Sequence, residues 1–392
     1  MILPNCTLFN QALRYLRLVS RPELKLTFVH AGNLYPFRTG GPGVVAHNLL
    51  EQFDKHGVSV EFFLIWNGPS LTASDFGFSS NISVKTIRER RNLISPLAQY
   101  FGASGDVVHF NTFSPWAPHV LFPSICAIRG KHIVVSIHGY WPIERAFVPS
   151  SGLRKRITSL EYSFLFRHDI SLVVFAQYMK KLLSVEFDPA RIKVIPLGVD
   201  LRKFRPSAGS HDVANITYVG RLSPRKGIEI LLRALAILVK QLDFRAYIIG
   251  EGPIREGLEG LIEKLALDAN VEMLGRLADR ELVNHMAETD IIVVPSIYEP
   301  IPLVILEAFA ANVAVVASNV GGIPELVRHE STGLLVPPND PEALSSAIRR
   351  LILDKDLRLK ITRNARKIAE RHDWSAVAEK YLALYNELSL RN

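Results

Sequence analysis

The chain has 392 residues, of which 48% are hydrophobic and 21% are charged, which is ordinary for a soluble globular protein with two domains. No apolar run approaches the ~18 residues of a membrane-spanning helix. The only cysteines, Cys6 and Cys126, exclude a disulfide framework or a cysteine metal site. Because no secretion signal is evident at the N-terminus, we expect a cytoplasmic location.

The net charge of +8 comes from the first half of the chain. Residues 1–200 carry 21 Lys and Arg against 13 Asp and Glu, whereas residues 201–392 carry 25 basic and 25 acidic side chains. An anionic partner of the first half follows as one hypothesis: a membrane surface, which would make the protein peripheral, a lipid-phosphate acceptor or an acidic glycan. Chance or solubility explains the excess equally well, and no nucleic-acid motif accompanies it.

The first half alternates strands with helices. After an amphipathic or disordered extension at residues 1–23, residues 25–29 read as a strand, and a glycine loop with Gly40 and Gly41 leads into a helix over residues 44–56. Backbone N–H groups at such a helix start bind anions, although the spacing is not that of a dinucleotide site. Residues 67–105 carry no pattern that we can interpret. A basic amphipathic segment at 153–167 reads as a core helix or, as the alternative, a membrane-surface helix.

His138 follows a buried-strand pattern at residues 132–137 and is itself followed by Gly139. Open α/β sheets place their site residues at the carboxyl ends of strands. We therefore take His138 as a candidate site residue, with a packed structural histidine as the alternative.

A second strand–helix series begins at residue 216. Arg221 and Lys226 flank the turn into its first helix, so cationic side chains and backbone donors converge there, which suits a diphosphate. Later in the series, Glu299 and Glu307 flank the start of an apolar helix, where Glu307 should be buried. Both carboxylates read equally well as ligand-binding groups or as a helix cap and a structural ion pair.

This alternation predicts an α/β protein with two Rossmann-like, doubly wound parallel sheets that face each other across a cleft. Four motifs of the second half resemble the retaining glycosyltransferases of family 4, which have the GT-B fold. These motifs are Gly220-Arg-Leu-Ser-Pro-Arg-Lys-Gly227, Gly250-Glu-Gly-Pro253, Pro295-Ser296 with Glu299 and Glu307-Ala308, and Ser318-Asn-Val-Gly-Gly-Ile-Pro-Glu325. The shorter pairs Gly40-Gly41 and His138-Gly139 also match.

The resemblance implies transfer of a hexose from a UDP- or GDP-sugar to a lipid-linked or glycan acceptor. Its catalytic residues would be His138 near the reacting sugar, Arg221 and Lys226 on the diphosphate, and Glu299 on the sugar hydroxyls, while Glu307 would contact the ribose. The other implied donor-binding positions are Gly40, Gly41, Gly220, Gly250, Gly252, Gly275, Arg276, Pro302, Leu303 and Val304.

The family retains the anomeric configuration and usually needs no metal or other cofactor. The family motifs quoted above contain no Asp-x-Asp pair and no evident second carboxylate, so we expect front-face transfer in which cations neutralise the departing diphosphate. Pro302 stands where the family often has Gly, which removes one N–H that could reach a phosphate.

The alternatives are a sugar-nucleotide epimerase on the same fold and a non-catalytic sugar-nucleotide-binding partner protein. We divide the chain into an extension (1–23), an acceptor-binding domain (24–205), a nucleotide-sugar-binding domain (206–372) and a C-terminal helix (373–392) that crosses back to the first domain.

Overall fold

The computed structural model describes residues 24–31, 41–65, 68–87, 102–112, 125–139, 170–204 and 213–390. Several residues and segments named above lie outside these ranges: the extension 1–23, Gly40, residues 67 and 88–101 of the region 67–105, and the amphipathic segment 153–167. In the part of the chain that is described, no helix combines the length and the apolar character needed to cross a membrane.

The first sheet has seven parallel strands in the spatial order β3-β2-β1-β4-β5-β6-β7. In chain order, β1 to β7 are Lys25–Ala31, Ser59–Ile65, Ile82–Ile87, Val107–Phe110, His132–Ser136, Ile170–Val174 and Ile192–Val194. Successive strands are added on one side of β1 up to β3 and on the other side from β4 onwards, so the strand order reverses between β1 and β4. At such a topological switch point a crevice opens beyond the carboxyl ends of the two strands.

The second sheet has six parallel strands in the order β10-β9-β8-β11-β12-β13. In chain order, β8 to β13 are Ala214–Val219, Phe244–Ile249, Val271–Gly275, Ile291–Val294, Ala314–Ser318 and Leu334–Val336. The strand order of this sheet reverses between β8 and β11, which is its topological switch point. The expected two doubly wound parallel sheets are therefore confirmed.

Ten helices cover the sheets in the described ranges. In chain order, α1 to α10 are Gly41–Lys55, Gln177–Leu183, Ile228–Leu238, Arg255–Lys264, Asp279–Ala287, Leu303–Ala310, Ile323–Leu326, Pro341–Leu353, Lys355–Glu370 and Trp374–Ser389. A further helical turn spans residues 125–128. Asp340 caps α8 as predicted, since its carboxylate accepts the Ala343 N–H at 2.8 Å.

The central strands β4, β11 and β12 are buried on both faces, as is typical of parallel sheets. In the first sheet, Val107 packs with α1 and α10 on one face, while Val108 packs with α2 on the other. The apolar cluster of Val107 extends into the second sheet, where it includes Ile292 and the buried side of α6. A continuous apolar core therefore joins one face of each sheet.

The chain crosses between the sheets twice, and the two crossings pair with each other. The Val199 N–H donates to the His372 carbonyl at 2.7 Å, and the His372 Nδ1 bonds the Leu197 carbonyl at 2.8 Å. Gly198 lies so close to the Trp374 ring that any Cβ at residue 198 would overlap it. Helix α10 then packs on α1 and β4 of the first sheet.

Three features differ from the sequence-based expectation. Helix α1 begins at Gly41 rather than at residue 44, because Pro42 fits the first turn of a helix. Strand β3 lies in the region that we could not interpret, and β13 was not predicted. Both are edge strands, and β3 leaves alternate residues exposed while β13 has only three residues.

Candidate active site

Three glycine-containing loops meet at the carboxyl ends of β8, β9 and β10. Gly250 has a φ of +146°, and a Cβ there would overlap the Gly220 carbonyl oxygen. A Cβ on Gly252 would likewise overlap the Leu222 carbonyl, and the Gly250 N–H donates to the Gly275 carbonyl at 2.7 Å. These positions need glycine because backbone approaches backbone directly.

The same edge of the sheet carries the turn Pro224–Lys226, which faces the segment after β11. The Ile297 N–H donates to the Arg225 carbonyl at 2.8 Å. Gly227, at a φ of +67°, lies against the Pro295 carbonyl, where a Cβ would overlap it. The two loops are thus held together by their backbones, which fixes the place of their side chains.

Glu299 lies at the centre of this junction. Only 4% of the residue is exposed, and its carboxylate forms a salt bridge with the Lys226 ammonium. The Ser296 hydroxyl donates to the same carboxylate at 3.2 Å, and the Arg225 Nη1 lies 4.0 Å away. Two cations therefore surround one buried anion, which leaves a net positive charge at the carboxyl ends of β8 and β11.

Arg221 is exposed at the rim of the same edge. Its backbone is held by the buried Tyr218, whose hydroxyl donates to the Arg221 carbonyl at 3.0 Å. Burial, with a smaller contribution from the Glu299 carboxylate, raises the pKa of Tyr218 above its ordinary value, so the phenol stays protonated and remains a donor. Arg276, after β10, is also exposed.

Helix α6 begins at Leu303, directly after Pro302, and its first turn includes Val304. The first N–H groups of a helix lack intrahelical partners, so those of Leu303 and Val304 point out of the helix start.

The expectation that Glu307 is buried is wrong. Glu307 is half-buried and lines a narrow cleft that includes Lys203 of the crossing segment, because one side of α6 faces this segment rather than the core.

His138 lies just beyond β5, with its ring centroid 4.8 Å from that of Phe175. Burial lowers the pKa of His138 to about 4, although a hydrogen bond with the Asn111 backbone opposes this effect. The imidazole is therefore neutral at pH 7. Its buried Nε2 has no hydrogen-bond partner among the described residues, which leaves it available to a bound molecule.

Asn111, at the carboxyl end of β4, was not predicted from the sequence. It is fully buried, and its amide donates to the Pro42 carbonyl at 2.9 Å. The His30 Nδ1 lies 3.1 Å from the same amide nitrogen. Asn111 therefore links the start of α1, where Gly41 lies, by a hydrogen bond to the end of β4, the strand that pairs with β5 before His138. A polar residue directly after a buried strand was the available signal.

The structure thus brings Lys226 and Glu299 into direct contact. It also brings Gly220, Gly250 and Gly275 together in the loops at the carboxyl ends of β8, β9 and β10. His138 and Gly41 lie at the carboxyl edge of the other sheet, with no direct contact to Lys226 or Glu299 among the described interactions. Arg225 and Ser296 were missed as partners of Glu299, although both lie inside motifs quoted above. Within the described ranges, no three His, Cys, Asp or Glu side chains are grouped to hold a metal ion.

Two family models match the chain one after the other. The model described as "Glycosyltransferase Family 4" matches residues 39–203, and the model described as "Glycosyl transferases group 1" matches residues 201–368. The junction between the matches falls at the crossing segment after β7.

Curated relatives give the same result. The chain is 31% identical over 295 residues to an uncharacterized glycosyltransferase of Methanocaldococcus jannaschii, covering 71% of this chain and 75% of that protein. It is 34% identical over 218 residues to a D-inositol 3-phosphate glycosyltransferase of Saccharomonospora viridis, covering 51% of each chain. The match thus spans about half the length of this second relative.

Solved structures share the architecture over nearly the whole chain. Sucrose-phosphate synthase from Thermosynechococcus elongatus has a TM-score of 0.80 at 24% identity and covers 94% of this chain and 100% of that one. HepE from Anabaena, solved with UDP and glucose, has a TM-score of 0.76 at 21% identity and covers 93% and 99%. These likenesses identify the two-sheet architecture as the expected GT-B fold.

Proposed function

Since the chain belongs to the group 1 glycosyltransferases of family 4, we propose that it transfers a hexose from a UDP- or GDP-sugar to a lipid-linked or glycan acceptor. The transfer retains the anomeric configuration and needs no metal ion or other cofactor. The observation that carries this proposal is the junction of Lys226, Arg225 and Glu299 at the switch point of the second sheet. A net positive site at strand ends suits the diphosphate of a nucleotide sugar.

Glu299 and Glu307 would bind the two ends of the donor, the sugar and the ribose, while cations bind the diphosphate between them. Lys226 and Arg221 bind the diphosphate, and the Glu299 carboxylate accepts hydrogen bonds from the sugar hydroxyls. Glu307, half-exposed at the cleft, accepts from the ribose. The Leu303 and Val304 N–H groups at the start of α6 supply backbone donors to a phosphate, in place of the N–H that Pro302 lacks. The UDP and glucose bound to HepE support a donor of this class.

The reaction step follows from the charges in the site. The bond between the anomeric carbon and the diphosphate oxygen breaks, and the acceptor hydroxyl oxygen bonds to the same face of that carbon. The acceptor proton passes to the departing phosphate oxygen. Lys226 and Arg221 stabilise the charge that develops on the diphosphate, while the neutral His138 offers Nε2 to a hydroxyl of the reacting sugar.

A screen of UDP- and GDP-sugars tests the proposed function. Thermal shift reports binding, and release of free sugar without acceptor reports turnover. We expect one donor to stabilise the protein and to be hydrolysed slowly, with the same rate after EDTA treatment, and NMR should show the α-anomer as the first product from an α-linked donor. Epimer formation would instead indicate an epimerase, binding without turnover a binding protein, and loss of turnover in EDTA a metal-dependent mechanism.

We further propose that the first domain lies against an anionic membrane surface on the cytoplasmic side. Ile128 and Val185 support this proposal because they are 83% and 85% exposed. Ile128 ends the helical turn 125–128 and Val185 lies in the turn after α2, and both helical segments pack on the same face of the first sheet. Lys180 and Lys181 lie on α2, just before Val185. Exposed apolar side chains beside lysines suit an anionic bilayer.

Vesicle sedimentation tests the membrane proposal. We expect binding to vesicles with 30% anionic lipid in low salt, reduced binding in 0.5 M salt, and reduced binding of the Ile128→Ser/Val185→Ser variant. The Leu353→Ser variant is the matched control, because Leu353 is exposed on the other domain. An absence of binding in low salt would rule the proposal out.

A further inference from the structure

Glu325 forms a contact between the two domains that the proposed reaction does not use. It follows β12 in the second domain, yet its carboxylate accepts the N–H of Gln177 at 2.8 Å and the N–H of Tyr178 at 2.6 Å. Both N–H groups belong to the first turn of α2 in the first domain. The residue before this helix is Ala176, which offers no side-chain acceptor. Glu325 therefore caps α2 from the opposite domain.

The residues just before helix α7, which carries Glu325, also pack on the backbone of Glu299. The Gly322 N–H donates to the Glu299 carbonyl at 3.2 Å. A Cβ at Gly321 would overlap that carbonyl, and a Cβ at Gly322 would overlap the Pro300 carbonyl. Gly321 has a φ of +58°. Because these are direct backbone contacts, any movement of the Glu299 segment moves residues 321–325.

On the other side, the capped helix start adjoins His138. Phe175, two residues before Gln177, packs its ring on the His138 ring, with the centroids 4.8 Å apart. Gly322 also faces the Ala176 side chain directly, since a Cβ on Gly322 would lie 3.0 Å from the Ala176 Cβ. A continuous path of contacts thus runs from Glu299 through Glu325 and the start of α2 to His138.

We propose that Glu325 is a positioning residue that sets the place of His138 relative to Glu299 across the cleft, an inference that rests on the proposed function of these two residues. His138 and Glu299 lie on different sheets, and both must meet one sugar. Rigid placement of groups from two domains on one substrate is a large part of catalysis, and small misplacements lower the rate strongly. The Glu325 carboxylate supplies this placement by joining the short helix α7 of one domain to helix α2 of the other.

Hydrogen exchange of the Gln177 and Tyr178 amides tests the contact itself. In the Glu325→Ala variant both amides lose their acceptor, so we expect the peptide that covers residues 176–180 to exchange about 10-fold faster. Glu325→Gln keeps one carbonyl acceptor and should give an intermediate rate. Glu259→Ala is the matched control, because Glu259 is an exposed glutamate that pairs with Arg255 within one helix. Exchange in Glu325→Ala equal to that in the control would overturn the proposal.

Kinetics test the positioning role. We expect Glu325→Ala to lower kcat for hydrolysis of the donor found in the screen about 10-fold. The variant should leave the Kd for the nucleoside diphosphate of that donor, UDP or GDP, within about two-fold, and should keep Tm within about 2 °C because the side chain is exposed. Glu325→Gln should recover part of kcat. An unchanged kcat, or a loss of nucleoside diphosphate affinity equal to the loss of kcat, would overturn the positioning role.

The failure of this inference is distinguishable from failure of the proposed function. If the wild-type protein hydrolyses no UDP- or GDP-sugar and binds neither UDP nor GDP, the proposed function is wrong, and the positioning role falls with it. The exchange experiment then still shows whether Glu325 joins the domains, because its readout does not depend on activity.

Discussion

At the scale of single residues, Glu299 combines burial with charge. A buried carboxylate is costly unless it is paired, and here Lys226, Arg225 and Ser296 all approach it. The proposed donor would compete for the same groups, because its diphosphate attracts Lys226 and its hydroxyls attract Glu299. Binding would therefore exchange an internal ion pair for two contacts with the ligand.

The first prediction separates the two roles of Lys226. Lys226→Met should lower the free energy of unfolding by about 2 kcal/mol, because it leaves a nearly buried carboxylate with weaker partners. It should also lower kcat by about 100-fold or more, because the departing diphosphate loses a cation. Urea unfolding and donor hydrolysis measure the two effects.

The double variant Lys226→Met/Glu299→Gln is the control for this prediction. It removes the unpaired charge, so stability should recover in part while turnover stays low. Normal turnover in Lys226→Met would show that Lys226 does not hold the diphosphate.

The second prediction concerns Arg221, which is exposed. Arg221→Ala should change the free energy of unfolding by less than about 0.5 kcal/mol, because the exposed guanidinium contributes little to packing. It should still lower kcat by about 10-fold or more if the guanidinium meets the diphosphate. A normal rate of donor hydrolysis in this variant would remove Arg221 from the site.

At the scale of secondary-structure elements, the loops at the carboxyl ends of β8, β9 and β10 are constrained by backbone contact. Gly250 cannot be replaced without moving the strand that leads into the Arg221 loop, because its neighbour there is the Gly220 carbonyl. The glycines of helix α4 differ, since nothing lies within 4 Å of a Cβ at Gly257. The same residue type is thus required in one place and replaceable in another.

The third prediction compares these two glycines. Gly250→Ala should destabilise the second domain by about 2 kcal/mol or more, because its φ and the Gly220 carbonyl both oppose a side chain. Gly257→Ala should stabilise the protein by about 0.5–1 kcal/mol, since alanine is the better helix former. Thermal unfolding of the two variants measures both effects, and equal Tm values would contradict the described packing.

The sequence predicts the strands that are buried on both faces well, because a short run such as Val107–Phe110 is typical of a parallel sheet. It misses β3 because an edge strand with alternate exposed residues resembles a polar loop.

The sequence also predicts Lys226 and Glu299 as site residues from their motifs. Their mutual contact is not predictable, because the two residues are 73 positions apart and are joined by loop backbones. Glu325 is missed as a contact because its partners are backbone N–H groups, which have no signature in a sequence.

At the scale of the whole molecule, the buried His30 and His109 and the half-buried His138 make stability depend on pH. Burial lowers the pKa of His30 and His109 to about 3 and that of His138 to about 4. His109 also joins the first sheet to α10, since its Nδ1 lies 2.6 Å from the Tyr385 hydroxyl. All three side chains are neutral in the folded protein at pH values where the unfolded chain takes up protons.

The fourth prediction follows from this difference. The contribution of these histidines to the free energy of unfolding is fully present above pH 6.5, the ordinary histidine pKa. It is lost as pH falls towards 4, because the unfolded chain binds protons that the folded protein does not. Each histidine contributes up to about 1.4 kcal/mol per pH unit in this window. Urea unfolding between pH 7 and pH 5 should show the slope.

His109→Gln should reduce that slope, whatever its effect on absolute stability. A slope in His109→Gln equal to that of the wild-type protein would contradict neutral burial of His109.

Helix α10 completes the first domain although it follows the whole second sheet in the chain. Tyr381 and Tyr385 of this helix belong to the core that covers β4 and α1. During synthesis, a nascent chain therefore carries an uncovered apolar face on its first sheet while the second domain is being made. At about 5–20 residues per second this interval lasts on the order of ten to forty seconds. The domain that the ribosome makes first is thus the one that finishes folding last, and we expect it to depend on chaperones that bind exposed apolar surface.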